Sequence, residues 1–419
     1  MRQSTPKRST AAWLWIGLLL VLFGRGVSAN AQEVSRTDDG WEYEHEYTWD
    51  MDDVRTLILE DLGGRLELTS TSGRRLEISQ TIPFGDVGRT EAMNRGREMV
   101  LESSQSGSRR AVAGVGVPRG TRLEIRIPMN VDVELDVDWG AIEVSGLSGN
   151  LVIRQGGGTI EVENQQGDVA IRSDGGVIVL EEIAGSVAIN SDGGGVEVSQ
   201  VGASVSITTG GGNIDLEMVS GDAAVTTAGG NVDIFGIQGD LTAVTSAGNL
   251  DVMNVEGDAT LSSGGGSIEA ADVDGSLTAT TSGGDVEAEM IGGPIRIETL
   301  AGDVELSGVR NSVRVISEVG DIELEVEDAR FLEDSGIEID LGHGDIELVL
   351  PRSTHAMLIA NVQESGGIDI SNEDWEVEVV RTRGQDRDQR SRRAEVRIGK
   401  GGGEIQIRLL SGEITVDHD

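Results

Sequence analysis

The chain has 419 residues, of which 60 are Gly and only 3% are aromatic. That Gly share is about twice the usual value of roughly 7%, and with so few aromatic side chains it excludes a large aromatic-rich core. The absence of Cys excludes disulfide scaffolds and thiolate-bound metals, and only 4 His argue against a histidine-based metalloenzyme. The formal net charge of −40 disfavours nucleic acid as a partner, because binding it needs Lys and Arg to displace counterions.

Residues 1–31 have the pattern of an export signal. Three basic residues near the start precede an apolar run over residues 11–24, which is short for a membrane-spanning helix of about 20 residues. Ala29 and Ala31 form a small-residue cleavage site and predict a mature chain that begins at Gln32. An uncleaved membrane anchor is the alternative. We expect an exported protein that does not span a membrane after cleavage and resides in the periplasm, on the cell surface or outside the cell.

Residues 32–138 contain irregularly alternating segments and are predicted to form an N-terminal β cap with irregular coils. Near its start, residues 41–49 alternate strictly and place Trp41, Tyr43, His45, Tyr47 and Trp49 on one strand face. These rings could stack on sugars as an exposed binding face. The alternative interpretation is that the face packs over the end of the domain that follows.

Residues 139–326 form an uninterrupted 18-residue repeat. Repeat positions 4 and 6, and again 13 and 15, are apolar, which indicates two short strands per unit with alternate residues facing inward. One unit cannot bury its few small apolar side chains, whereas stacked units cover one another. The sequence therefore predicts an all-β, single-stranded parallel β-solenoid with 18-residue coils. Gly at positions 1, 2 and 11 is expected to provide the positive φ of sharp turns.

Position 5 of the repeat points outward and is acidic in eight successive units. Carboxylates about 5 Å apart repel one another by roughly 0.8 kcal/mol in unscreened water. The column is either a solvated acidic face or a weak cation ladder that collects Ca²⁺ through oxygen ligands. We expect no tightly bound metal ion and no other cofactor. The residues of this acidic column are Glu197, Asp215, Asp233, Asp251, Glu269, Glu287, Glu305 and Glu323.

Positions 14 and 16 carry many hydroxyl side chains, of which Thr226, Thr242 and Thr260 are examples. A flat Thr ladder is similar to the surface of some ice-binding proteins, but Ala224, Val244 and other residues interrupt this one. We interpret the Thr residues as ordinary strand formers, since β-branched side chains favour strands.

Residues 327–419 are predicted to form irregular C-terminal solenoid coils. The repeat reappears after a longer, 24-residue spacing, which indicates a six-residue insertion near residues 327–335. Residues 381–393 (RTRGQDRDQRSRR) are charged and contain no apolar side chain, so a loop is expected there.

The arrangement resembles the bacterial "putative adhesin" family of β-strand repeats. The resemblance rests on residues 122–128 (RLEIRIP), the alternating segment 131–137, residues 139–144 (WGAIEV) and the closing residues 411–416 (SGEITV). It implies a solenoid fold and an envelope-associated protein, and it supplies no catalytic residues.

Three functions follow as candidates. The first is a non-enzymatic scaffold that offers a repeated acidic surface to a cell-surface or matrix component. The second is a periplasmic stress-response module that binds an envelope protein with a signalling role. The third is a β-helical polysaccharide-active enzyme, which the equal length of the repeats disfavours because no loops are long enough to build a cleft.

Overall fold

The computed structural model describes residues 30–118, 120–333, 336–370, 377–383 and 392–418. Residues 1–29 of the predicted export signal lie outside these ranges, and residues 30 and 31 begin the first strand. Within the described ranges no helix is both long and apolar enough to cross a membrane. Most of the described residues are in strands, and their two helical segments are α1 (Arg89–Gly96) and a 3₁₀ helix (Ala329–Glu333).

The N-terminal region is a cap of mixed pairing over one end of the repeat. β1, β2, β4 and β7 pair antiparallel in that order, β5 pairs antiparallel with β6, and the long β3 runs parallel to β6, β7 and β8. The predicted boundary between residues 138 and 139 falls inside β8, which joins the cap to the first coils. The strands are β1 (Asn30–Thr37), β2 (Gly40–Asp50), β3 (Thr56–Thr71), β4 (Arg75–Pro83), β5 (Val100–Ser106), β6 (Arg109–Val115), β7 (Arg122–Pro128) and β8 (Asp132–Ser145).

The repeat forms two ladders of parallel strands around one core. The odd-numbered strands stack as one ladder and the even-numbered strands as the other. The strands are β9 (Leu151–Gln155), β10 (Ile160–Gln165), β11 (Val169–Ser173), β12 (Ile178–Ile183), β13 (Val187–Ser191), β14 (Val196–Val201), β15 (Val205–Thr209), β16 (Ile214–Val219), β17 (Ala223–Thr227), β18 (Val232–Ile237), β19 (Leu241–Thr245), β20 (Leu250–Val255), β21 (Ala259–Ser263), β22 (Ile268–Val273), β23 (Leu277–Thr281), β24 (Val286–Ile291), β25 (Ile295–Ala301), β26 (Val304–Val309), β27 (Val313–Val319) and β28 (Ile322–Val326).

The strand register confirms the predicted solenoid. Ile160 pairs with Ile178, Ile178 with Val196 and Val196 with Ile214, and each partner stands one full repeat further along the chain. Alternate residues of every coil are buried, and the inward Val, Ile, Leu and Ala side chains of both ladders form one continuous core. The core needs no aromatic side chains because stacked coils cover one another.

The glycines act only partly as the sequence predicted. Position 2 has the expected positive φ in the first five units and the last two, as at Gly158, but not at Gly230, Gly248, Gly266 or Gly284. At Gly158 the coils approach so closely that an added Cβ would lie 1.9 Å from the carbonyl oxygen of Gly140. At position 11 no positive φ is found, and Gly167 is needed because its Cβ would meet the carbonyl oxygen of Gly149 at 2.4 Å. The expectation of positive φ is therefore wrong for position 11. Position 1 is not in the left-handed region either; at Gly211 a Cβ would contact nothing within 4 Å.

Further left-handed turns occur at position 8, inside the even-numbered strands. Non-glycine residues with φ near +55° recur there with the period of the repeat, and Gly236 and Gly308 occupy the same position. Each coil therefore bends once in the middle of a strand, which brings position 9 back toward the core. The non-glycine residues are Asn164, Glu182, Gln200, Met218, Asn254, Asp272 and Met290.

The C-terminal region closes the opposite end. Ile322 pairs with Ile346 across the predicted longer spacing, and the 3₁₀ helix occupies the site of the predicted insertion. The long β34 runs parallel to β29, β30 and β31 and thus lies between the last coil and β31; β33 pairs antiparallel with β31 and β32. The strands are β29 (Ile337–His343), β30 (Ile346–Leu350), β31 (Ala356–Ile370), β32 (Val377–Arg383), β33 (Arg392–Ile398) and β34 (Gly403–His418).

The predicted charged loop 381–393 is shorter than expected at both ends. β32 continues to Arg383 and β33 starts at Arg392, so the ends of the segment pair as antiparallel strands. The intervening residues 384–391 lie outside the described ranges.

Candidate interaction faces

The acidic column lies on the outer surface of the even-numbered ladder. Asp215 pairs in register with Glu197 on one side and Asp233 on the other, and Glu305 pairs with Glu323. All eight side chains are exposed, and parallel pairing separates neighbouring strands by about 4.8 Å. The structure thus brings all eight predicted residues into one line.

Two members of the column show the effect of this stacking on acidity. The neighbouring carboxylate of Asp251, then partial burial, then Glu287 raise the pKa of Glu269. Burial, then Glu217 and Asp233, raise the pKa of Asp215. Like charges at strand spacing disfavour the ionised form of each group. The acidic column is therefore a line of repelling charges.

The column extends beyond the predicted residues. Glu323 pairs in register with Glu347 across the insertion, and Glu67 of the cap pairs with Glu143. Arg65 compensates the charge at the N-terminal end, where its guanidinium lies 2.6 Å from a carboxylate oxygen of Glu143. The 24-residue spacing in the sequence already indicated Glu347, whereas only a long-range pairing places Glu67 beside Glu143. Val179 separates Glu143 and Glu161 from the eight predicted residues.

The column is a line of charges rather than a metal cage. Among the residues that the structure describes, no three Asp, Glu, His or Cys side chains converge closely enough to hold a metal ion. Ca²⁺ prefers six to eight oxygen ligands around one point, and a column with one carboxylate per coil does not supply them.

A second set of acidic residues, at position 12 of the turns, was not identified from the sequence. Asp258 accepts a hydrogen bond from the backbone N–H of Ser276 on the next coil at 2.7 Å, and Asp240 accepts one from Asp258 at 2.9 Å. The N–H and then the hydroxyl of Ser276 lower the pKa of Asp258. The repeated Gly-Asp pairs of the sequence were the available signal. These carboxylates tie coils together instead of facing a partner.

The aromatic strip of β2 is not an exposed binding face. Tyr43, Tyr47 and Trp49 are buried at 0%, 4% and 4% exposure, and His45 stacks on Tyr47 with ring centroids 4.1 Å apart. The Tyr47 hydroxyl donates to Oε1 of Gln80 at 3.1 Å. Strand β2 directs this face into the interior of the cap. The interpretation of Tyr43, Tyr47 and Trp49 as an exposed sugar-binding face is therefore wrong. Trp41, the fourth predicted residue, is half-buried.

The odd-numbered ladder presents a surface of the opposite character. Its outward residues at positions 14 and 16 include no Asp or Glu from β9 to β23. We call this surface the carboxylate-free face. Its residues are Val152, Arg154, Ala170, Arg172, Ala188, Asn190, Ser206, Thr208, Ala224, Thr226, Thr242, Val244, Thr260, Ser262, Thr278 and Thr280.

A family model describes most of the chain. The model of the Toastrack DUF4097 family matches residues 71–293 and again residues 237–417, which together span well over half of the sequence. The chain belongs to the Toastrack DUF4097 family. This membership confirms the resemblance to the "putative adhesin" repeat proteins and agrees with the solenoid of parallel strands. No curated protein matches the chain.

Two solved structures are similar to this Toastrack chain. One is a "putative cell adhesion protein" from Clostridium sporogenes, at 7% identity, with 90% of this chain and 100% of that chain covered and a TM-score of 0.18. The other is a "putative adhesin" from Bacteroides fragilis, at 9% identity, with 90% and 97% covered and a TM-score of 0.18.

Proposed function

We propose that this Toastrack protein is an exported, non-enzymatic scaffold of the bacterial cell envelope that offers a repeated acidic surface for multivalent binding. The observation that carries the proposal is the register of the acidic column, in which eight carboxylates stand on successive coils. Repeated weak contacts on one rigid body raise overall affinity without a deep site, because each contact increases the effective concentration of the next.

The shape of the coils supports a scaffold over an enzyme. From β10 to β28 the parallel strands keep one register and one repeat length. Their connections are too short to build walls around a substrate. Carboxylates are abundant, but the acidic column holds them in open solvent rather than around an enclosed cavity, where catalytic groups usually act.

The partner that fits this surface is a cell-surface or matrix component, or an envelope protein, with repeated positive charges. We propose no bound cofactor. Ca²⁺ would collect along the column as weakly held counterions, because opposite charge lowers the repulsion between neighbouring carboxylates.

Localisation tests the exported part of this proposal. A C-terminally tagged chain is treated with protease on intact and on lysed cells. Loss of the tag on intact cells is the expected result for a surface scaffold. Protection until lysis would place the chain inside the envelope and would favour the periplasmic module with a signalling partner.

A binding experiment tests the column itself. The purified chain is applied to an amine-coated sensor surface, and Asp233, Asp251, Glu269 and Glu287 are changed to the corresponding amides. A control variant changes Glu44, Glu77, Glu98 and Glu102 of the cap to Gln and alters the net charge equally. We expect only the first variant to lose most of its binding. Equal loss in both variants would show that net charge, rather than the column, determines binding.

A further inference from the structure

The carboxylate-free face is anomalous for a chain with 73 acidic residues. It covers eight successive coils of the odd-numbered ladder, and its outward side chains are Ala, Ser, Thr, Val, Asn and Arg. The acidic column lies on the other side of the core, behind the even-numbered ladder. The solenoid therefore separates its charges, with one strongly acidic face and one face on which the charged side chains are arginines.

An arginine pair stands at the N-terminal end of this face. Arg154 and Arg172 pair in register on adjacent strands, and both side chains are exposed. Neither side chain makes a hydrogen bond or an ion pair with the described part of the chain. Asp136 on β8 is the register neighbour of Arg154 on the side away from Arg172. Two unpaired guanidinium groups at strand spacing repel each other, so a bound anion would stabilise this arrangement.

A second arginine pair lies just beyond the C-terminal end of this face, where outward carboxylates such as Glu298 reappear. Arg296 and Arg314 pair in register on β25 and β27. Arg296 contacts Glu298, and Arg314 contacts Glu338, which also pairs with Arg408 at 3.0 Å. Arg296 uses only Nη2 for its contact with Glu298, and its side chain is 48% exposed. This end therefore retains donor capacity that the protein itself does not use.

Each arginine pair lines a shallow trough in the surface. The N-terminal trough has a volume of about 480 Å³ and is lined by Arg154, Arg172, Asn190 and the small side chains Ala170 and Ala188. The C-terminal trough, of about 1010 Å³, is lined by Arg296, Arg314, Arg408, Gln406 and Thr278 among others. Two carboxylates also line it, namely Glu338, which Arg314 and Arg408 contact, and Glu404, which accepts a hydrogen bond from Gln406.

We propose that the carboxylate-free face with its two arginine pairs binds a linear anionic polysaccharide that lies along the solenoid axis. Carboxylate groups of the glycan would accept paired hydrogen bonds from the guanidinium groups, the geometry that Arg favours. Between the pairs, the hydroxyls of Thr226, Thr242 and Thr260 face sugar hydroxyls without a competing carboxylate. Arg172 and Arg296 are seven coils apart, or about 34 Å at the spacing of parallel strands, so the ligand is a chain of several sugars.

One feature of this face favours a glycan over single-stranded nucleic acid, and a second allows an anionic chain to approach it. The carboxylate-free face has no outward aromatic side chain, and single-stranded nucleic acid needs such rings for base stacking. The acidic column lies behind a core about 10 Å thick. At physiological salt the screening length is about 8 Å, so its repulsion reaches this face only weakly.

The test uses oligogalacturonate of ten or more sugars and isothermal titration at physiological ionic strength, at which the acidic column is screened. We expect the full chain to bind it and the double variant Arg172→Gln/Arg296→Gln to bind at least about tenfold more weakly, since two charge-assisted contacts are lost. The matched control Arg65→Gln/Arg310→Gln removes two positive charges elsewhere and should change the affinity less than about twofold. Methyl-esterified oligogalacturonate, which lacks the charges, should not bind.

Several outcomes would overturn the proposal. These are undetectable binding of oligogalacturonate, equal weakening in both double variants, or equal affinity for the esterified sugar. Equal affinity for a single-stranded oligonucleotide would replace glycan recognition with general polyanion attraction. A concentration-dependent dimer that Thr226→Arg dissociates would show that a second copy of the chain covers this face instead.

Discussion

Acidic residues at repeat positions 5 and 12 serve opposite purposes in the same coils. At position 5, stacked carboxylates raise the pKa of Glu269, and the ionised column opposes the fold. At position 12, the N–H and hydroxyl of the next coil lower the pKa of Asp258 and favour its ionised form. In the sequence, position 5 is acidic in eight successive units, whereas position 12 is acidic only at Asp168, Asp222, Asp240 and Asp258. Only the hydrogen bonds of the turn distinguish a carboxylate that holds coils together from one that repels its neighbour.

Replacement of one column member should stabilise the protein. Glu269→Gln removes repulsion from two neighbours, worth about 1 kcal/mol in about 10 mM salt, and should raise the unfolding midpoint in urea. The control is Glu289→Gln, whose register neighbours are Ala271 and Ser307, and little change is expected. Because the folded-state pKa of Glu269 is raised, its repulsion is present at neutral pH and disappears as the pH falls through that pKa. A gain that persists when the group is protonated would contradict this account.

Within each coil, the strands could be predicted from the sequence, whereas the conformation of the turns and bends could not. Alternation at positions 4, 6, 13 and 15 and the constant repeat length were sufficient to predict the strands and the parallel register. The bend at position 8 could not be predicted, since Glu182 and Met218 are not typical left-handed residues. Stacking imposes that conformation. The residues at this position that favour a positive φ are Gly146, Gly236, Gly308, Asn164, Asn254 and Asp272.

The buried hydroxyls of position 17 were missed for a related reason. Thr245 and Thr281 donate to the carbonyl oxygens of Gly230 and Gly266 at 3.0 and 2.9 Å. Each bond satisfies a turn carbonyl that would otherwise be buried without a partner. In the sequence these residues look like any other Thr of a strand, because the pairing with a glycine at the start of the same unit arises only when the coil closes.

Two glycine substitutions should separate backbone conformation from close packing. Gly236→Ala adds a Cβ no closer than 3.7 Å to its surroundings, so only its φ of +76° is unfavourable, at a cost of about 1 kcal/mol. Gly158→Ala forces a Cβ onto a neighbouring carbonyl oxygen and should cost more than about 3 kcal/mol. Urea denaturation followed by circular dichroism measures both. Similar small effects would show that the coils can move apart to accommodate a methyl group.

The whole molecule is a solenoid whose two ends are closed in the same way. At each end a long strand, β3 or β34, runs parallel to the coils, and antiparallel strands cover the outer coil beyond it. An exposed parallel edge would pair with another chain. The N-terminal cap was predictable in outline, whereas the sequence predicted only irregular coils for residues 327–419. The insertion of β34 between two earlier parts of the chain was not predictable, because it depends on contacts between segments far apart in sequence.

Salt should stabilise the whole molecule. With a formal net charge of −40, the folded state gains from screening, since salt near 1 M shortens the screening length to about 3 Å. The melting temperature should therefore rise with NaCl, and more steeply with Ca²⁺ at matched ionic strength. Differential scanning calorimetry provides the measurement, with the Glu269→Gln variant expected to show a weaker dependence. A melting temperature that responds to neither salt would show that the carboxylates are not effectively stacked.

The position of β34 also dictates an order of events during biosynthesis. Strand β3 can pair with β8 as soon as both have left the ribosome, and each later coil then adds to the one before it. β31 has no such partner, because the strand that links it to the stack is made only after β32 and β33. The C-terminal cap consequently stays open until the last segment is synthesised, and the growing stack of coils has an uncapped edge for nearly the whole of translation.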